Sequence, residues 1–262
     1  MRIVSICSSS DGNCTYIESG GKGLLVDIGC SYTMMRKVLG LAGRDVSNIN
    51  AVFITHEHSD HIAGLEVLTK KHELPVYASE GTLNEILRKN KLGVKAKPHI
   101  LSDIGNAPVE LTVTAFHTPH DSAESVGYTF SDNENKIAVC TDLGKVTSEV
   151  RSNLLGSRFV LLEANYDLQM LTNNIRYSPS LKARIRSDRG HLSNGDSAAF
   201  ARELVSSGTV SILLGHLSQH NNTPELAMRA AESKLAEAGA LRGRDYMLET
   251  ADVVGNGKAF AV

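Results

Sequence analysis

The sequence predicts an α/β protein in which two β-sheets pack face to face with helices outside, a four-layer αββα sandwich. Three observations predict it. The first half of the chain reads as strand-rich with one or two helices, and the second half has the same character. No low-complexity linker and no repeat of solenoid period divides the 262 residues, so 1–262 reads as one domain.

Taken in order, residues 2–7, 14–18 and 23–27 read as short strands, separated by Ser, Gly, Asp and Asn turns. A short helix is expected over 34–41. The five-residue strand 51–55 delivers a histidine-rich run. Apolar residues at 62, 65, 67 and 68 suit a helix over 62–71. A strand at 75–78 and a helix at 80–91 follow. Strands are then expected at 109–116, 126–130, 136–141 and 158–162. Beyond 192, helices over 194–206 and 223–238 flank a strand at 209–215, with short strands near 246–249 and 258–262.

Composition bounds the function class. Hydrophobic residues make up 42% and charged residues 21%, which allows a sizeable core. The net charge is −2, with a pI near 6.6, so no global pull toward nucleic acid exists, although a local basic patch remains open. Four cysteines, at 7, 14, 30 and 140, form no C-x-x-C pair and suit a reducing compartment better than a disulfide framework. The apolar run at the N-terminus is too short for the core of a signal peptide. No stretch approaches the roughly 20 apolar residues that span a bilayer. The expectation is a cytoplasmic protein with no membrane partner.

The chemistry concentrates in His56-Glu57-His58-Ser59-Asp60-His61. Three histidines and an aspartate at a strand-to-helix junction project from a rigid edge into a cleft. Imidazole and carboxylate are natural ligands for zinc and similar divalent ions. His56 and His58 can converge on one ion, and Asp60 and His61 can reach a second. One cluster cannot complete two sites. Later ligand-type residues recur near strand ends: His120 after Thr118-Pro119, Asp142 after the strand 136–141, and His216 after 210–215. Singly, a strand-end aspartate is also a common turn cap, and a lone histidine is often a surface or core residue. His117 competes with His120.

The run resembles the HxHxDH signature of the metallo-β-lactamase superfamily, and His120, Asp142 and His216 follow in that family's order. Leu25-Val26-Asp27-Ile28-Gly29 resembles its first motif. Gly190-His191-Leu192-Ser193-Asn194 is similar to the HST loop of ribonuclease Z. Segments 9–13, 120–128 and 162–167 resemble the YycJ/WalJ-type exonuclease branch. The resemblance implies the metallo-β-lactamase fold. It also implies one metal on His56, His58 and His120, a second on Asp60, His61 and His216, and Asp142 bridging both. A hydroxide shared by two divalent ions (zinc, manganese or iron) would be the nucleophile. Asp27 would hold a ligand histidine in one orientation. Asp60 and His191 would be catalytic, with His191 serving the scissile phosphate or leaving group. The site would carry net positive charge and attract a phosphodiester.

The function implied is a metal-dependent phosphodiesterase, a 5′-to-3′ exonuclease with DNA as its partner. An RNA-processing nuclease, or a hydrolase of small cyclic phosphodiesters, thioesters or lactones, is the alternative within the superfamily. A metal-dependent binding protein without catalysis is the rival from another class. The segment from Arg176 to His191 is basic, and Arg184, Arg186 and Arg189, with Ser193 and Asn194, are the candidate contacts to substrate phosphate.

Overall fold

Successive side chains of a strand point to opposite faces, and here both faces are apolar because both are covered. The computed structural model describes residues 1–106, 108 and 110–262. It opens with β1 (Arg2–Ser9), β2 (Gly12–Ser19), β3 (Lys22–Val26) and α1 (Tyr32–Leu41). Then come β4 (Ile49–Phe53), the one-turn α2 (Ser59–Ile62), α3 (Leu65–Lys71), β5 (Leu74–Ala78), α4 (Glu80–Arg88) and β6 (Ala96–Ile100). The second half begins with β7 (Thr112–His117), β8 (Val126–Ser131), β9 (Lys136–Cys140), α5 (Ser148–Leu154) and β10 (Phe159–Glu163). It continues through α6 (Leu168–Asn173), α7 (Pro179–Ile185), α8 (Asn194–Ser206) and β11 (Ser211–Gly215). It closes with α9 (Pro224–Glu237), β12 (Met247–Thr250) and β13 (Phe260–Ala261).

Among the described residues the strands form two sheets, ordered β13-β1-β2-β3-β4-β5-β6 and β12-β11-β10-β9-β8-β7. Three apolar clusters fill the interfaces between four layers. Ile3, Ile17, Leu24, Val26 and Phe53 of the first sheet meet Tyr128, Phe130, Ile137, Val139 and Leu161 of the second. Their chain neighbours point the other way. Val4, Ile6 and Leu25 pack with Met35, Val38 and Leu39 of α1 and Leu65 and Leu68 of α3. On the far side Ala138, Cys140, Val160 and Leu162 pack with Phe200, Ala201 and Leu204 of α8 and Leu235 of α9. This is the αββα order. It explains why the strands read as continuous apolar runs rather than alternating ones. Phe53 anchors the central interface, stacking on Tyr77 at 5.1 Å between ring centroids and meeting Phe130 edge-on at 5.7 Å.

The expected elements shift in instructive ways. The helix expected over 62–71 is two pieces separated at Ala63 and Gly64, and glycine is required at 64 because a Cβ there would lie 2.3 Å from the Cys30 carbonyl. The strand expected over 109–116 appears as Thr112–His117, and Val109 lies outside the described residues. Strand β6 was not expected. Its Ala-Lys-Pro-His-Ile sequence carries a proline, tolerated because β6 is the last strand of its sheet. Helices α5, α6 and α7 were not expected either. They are six or seven residues long, and α7 sends no residue into the core, so too few turns are present to show a period.

Pairing direction positions the site. Strands β3, β4 and β5 run parallel, and so do β9, β10, β11 and β12. Parallel neighbours place their carboxyl ends on one edge, where ligands of α/β sheets gather.

Candidate active site

Five segments converge on that edge. Asp27 follows β3, the run His56–His61 follows β4, Asp142 follows β9, Glu163 ends β10 and His216 follows β11. Asp27, Asp142 and His216 adopt left-handed backbone, with φ of 58°, 60° and 55°. Such a conformation is uncommon for residues with a Cβ and concentrates where function over-determines the backbone. Gly29 admits the histidine loop: a Cβ there would sit 1.5 Å from the Asp60 carbonyl oxygen.

Asp27 is buried. Its Oδ1 accepts from Thr55 N, and its Oδ2 accepts from Thr55 Oγ1 and from His61 Nδ1, each at 2.8 Å. That leaves His61 Nε2 facing Asp142 Oδ2 at 3.1 Å and Asp60 Oδ2 at 3.4 Å. His56, His58 and His120 crowd together, with His120 Nε2 only 3.3 Å from His58 Nδ1. His120 Nδ1 lies 3.1 Å from the Gly190 carbonyl, which orients the ring. His216 Nε2 lies 3.6 Å from Asp60 Oδ2.

Four overlapping groups of donor atoms lie within 4.8 Å of one another: His56, His58 and His120; Asp60, His61 and His216; His56, His61 and Asp142; and Asp142, Glu163, His191 and His216. The first two coincide with the ligand sets the resemblance implies, and Asp142 shares the last two. His56 Nε2, His216 Nε2 and Asp142 Oδ2 are buried with no hydrogen-bond partner. Buried polar atoms are rarely left so, and divalent ions among these nitrogens and oxygens would satisfy all three. The residues fit the metals.

The electrostatics agree with a site built for cations. Burial, then its histidine neighbours, push the His56 imidazole well below its ordinary value. Burial acts in the same direction on His216, but Asp142, Asp60 and Glu163 overcome it and push that ring up to about 10. Burial would raise Asp142, yet His216 and His61 hold it well below the usual carboxylate range.

Glu163 is the residue that sequence reasoning missed. It is fully buried at the end of β10. Its Oε1 accepts from His191 Nδ1 at 2.8 Å and His216 Nδ1 at 2.7 Å, and its Oε2 accepts from the Leu143 and Leu192 amides. Two histidines hold its carboxyl down at about 2 against the opposing effect of burial. The signal was present: a ligand-type residue ends the apolar strand Phe159–Glu163, as with Asp142 and His216.

The other expectations divide. His191 lines the cavity beside His120 and His216. His117 lies outside it, exposed and near Glu149 and Glu124. Arg184 borders the cavity, where it pairs with Asp121. The remaining phosphate contacts are not brought to the site. Arg186 lines a separate surface depression with Lys145 and Asp188. Arg189 donates through Nε and Nη2 to the His120 carbonyl and braces that loop. Ser193 caps α8, accepting from Asp196 N, and Asn194 is buried against Asn222. Arg184, in α7, and Arg186, just beyond its end, therefore line different depressions.

With this geometry, the comparisons with known proteins define the class. The β-lactamase superfamily domain profile matches residues 24–213, and the chain belongs to the metallo-β-lactamase superfamily of hydrolases. Exodeoxyribonuclease YycJ of Bacillus anthracis is 34% identical over 250 residues, covering 94% of this chain and 94% of its own. Exodeoxyribonuclease WalJ of Streptococcus pneumoniae is 34% identical over 244 residues, covering 92% of this chain and 90% of its own. The metallo-β-lactamase fold protein YhfI from Bacillus subtilis shares the fold with a TM-score of 0.72 at 18% identity, over 99% of this chain and 98% of that one. No helix of the described residues is long and apolar enough to cross a membrane.

Proposed function

We propose that the chain, acting as one domain over 1–262 in the cytoplasm, is a phosphodiesterase that removes nucleotides from the 5′ end of DNA. The observation that carries this reading is His191, held by Glu163 beside two complete ligand sets and opening into the same cavity. The similarity to two exodeoxyribonucleases over nine-tenths of the chain favours DNA.

His56, His58 and His120 would hold one divalent ion, Asp60, His61 and His216 the other, and Asp142 would lie between them. Two such ions supply Lewis acidity, lowering the pKa of water from 15.7 toward about 7 and neutralising charge on both oxygens of the displacement. The chain does the rest. Asp27 keeps the His61 proton on Nδ1, so Nε2, which Asn13 Nδ2 approaches at 3.2 Å, presents its lone pair to the cluster. Glu163 does the same for His216. In His191 its carboxylate holds Nδ1–H and stabilises the imidazolium form, so that Nε2–H can hand its proton to the departing oxygen and leave the ring neutral. Asp60 stands at the edge of the cluster, a fifth exposed, and joins the cavity to the second ligand set.

Hydrolysis of end-labelled double-stranded DNA carrying a 5′-phosphate, with manganese or zinc, tests the reading. Mononucleotides released from the 5′ end, stopped by chelator and by Asp60→Ala, are expected. Intact DNA beside cleaved RNA or a cleaved small phosphodiester would move the substrate elsewhere in the superfamily.

A further inference from the structure

The cavity has a wall that the metal chemistry does not use. It encloses about 330 Å3, at the small end of ligand pockets, which run from about 300 to 1,000 Å3. One side is apolar: Tyr177, Leu181 and Ile185. These residues are four apart, the spacing of one helix face, and they carry the cavity-facing side of α7 and the turn before it. Helix α7 buries no residue in the core. A half-buried apolar face that lines the cavity, beside a cluster of ligating side chains, is placed to meet a ligand. Polar Ser10, Asn165, Ser218 and Asn221 form another part of the cavity wall.

The platform is fixed rather than loose. Ser178 caps α7 by accepting from Leu181 N, and Pro179 starts the helix. Lys182 Nζ donates to the Thr172 carbonyl at 2.7 Å. Arg184 pairs with Asp121 beside His120. Asn174 Nδ2 donates to Asn221 Oδ1 at 2.7 Å, tying the end of α6 to the loop beyond His216. Tyr177 is half-buried, its ring edge-on to His220 at 6.3 Å.

We infer that the Tyr177–Leu181–Ile185 wall is a base platform: it takes the unstacked nucleobase of the strand-terminal nucleotide against the Tyr177 ring, while the polar wall faces its sugar and phosphate. An aromatic ring accepts any base, because every base has a π-face, and loss of one such stack costs roughly 5- to 150-fold in affinity. A cavity of this size admits one nucleotide, not a duplex. The platform therefore selects strand ends and requires the last base to leave its pair. This inference rests on the nuclease reading.

The chain contains no tryptophan, so Tyr177→Trp places a single indole on the wall, excited selectively beyond the tyrosine absorption. The metal-loaded variant is titrated with an oligonucleotide bearing a 5′-phosphate and phosphorothioate linkages at that end. Emission quenched by a normal end, and not by the same oligonucleotide with an abasic terminal residue, is expected. In steady state, Tyr177→Ala should raise KM about 5- to 150-fold on normal ends with little change in kcat. It should have no effect on abasic ends, and Tyr177→Phe should restore the wild-type KM. Equal quenching by both ends, or an equal KM change on both, would overturn the platform and leave the nuclease reading intact. No binding of any oligonucleotide by the metal-loaded wild type would overturn both.

Discussion

The two sheets deliver their site residues in opposite styles. The first sheet hands over His56, His58, Asp60 and His61 in one loop after β4. The second hands over Asp142, Glu163 and His216 singly, from the ends of three neighbouring parallel strands. Yet each sheet builds the same supporting device, a buried carboxylate that grips histidine Nδ1 atoms. Asp27 grips one, His61. Glu163 grips two, His191 and His216. On the proposed reading, the second sheet would carry both metal support and proton transfer on one side chain, while the first would carry metal support alone.

The largest effect is therefore expected at Glu163. Glu163→Gln should lower kcat about 10³-fold, combining a proton-transfer loss of about 10²–10⁴ with weakened metal affinity, as read in steady-state cleavage with excess metal. His191→Ala breaks the comparison differently. It should cost about 10²-fold or more in rate while metal content, measured by elemental analysis, stays at the wild-type level. Metal loss there would make His191 a ligand. Asp27→Asn should weaken metal binding about 10- to 100-fold, and excess metal should restore most of its kcat, as it should not for Glu163→Gln. Phe53→Ala, between the sheets and away from the ligands, should cost about 3–5 kcal/mol in a denaturant melt without changing the metal ratio of the folded fraction.

The smallest effect concerns pH. The Arg44 guanidinium, bonded to Glu18 at 2.5 and 2.7 Å, lowers its carboxyl from 4.5 to about 2. A depressed acid contributes stability that is full above its unfolded value and fades as pH falls from about 4.5 toward 2. Glu18→Gln should flatten that part of the stability curve and leave turnover near neutral pH unchanged. A retained acid slope would place its origin in the site carboxylates.

Legibility followed the same division. The histidine loop was readable because its residues are contiguous, and contiguity needs no knowledge of the fold. Asp142 and His216 were readable because they end apolar strands and parallel pairing gathers such ends. Glu163 obeys the same rule, but a strand-end glutamate is a common residue and nothing local marks it as buried. The layers were readable from apolar runs; α5, α6 and α7 were not, because helices of six or seven residues present too few turns to show a period. The arginines misled for a related reason. Without α7 in view, Arg184, Arg186 and Arg189 read as one patch. The helix sends Arg186 to another face, and the loop beyond it spends Arg189 on the His120 carbonyl. Asp121 also cancels Arg184, so on the proposed reading attraction for an anion would rest on the metals more than on the basic segment.

The convergence of two sheets on a two-metal centre is tested most directly by counting metal per chain after reconstitution with zinc, manganese or iron. Two equivalents in the wild type, with loss of bound metal in both His58→Ala and His216→Ala, are expected. A single equivalent in the wild type, unchanged by one of those substitutions, would contradict it.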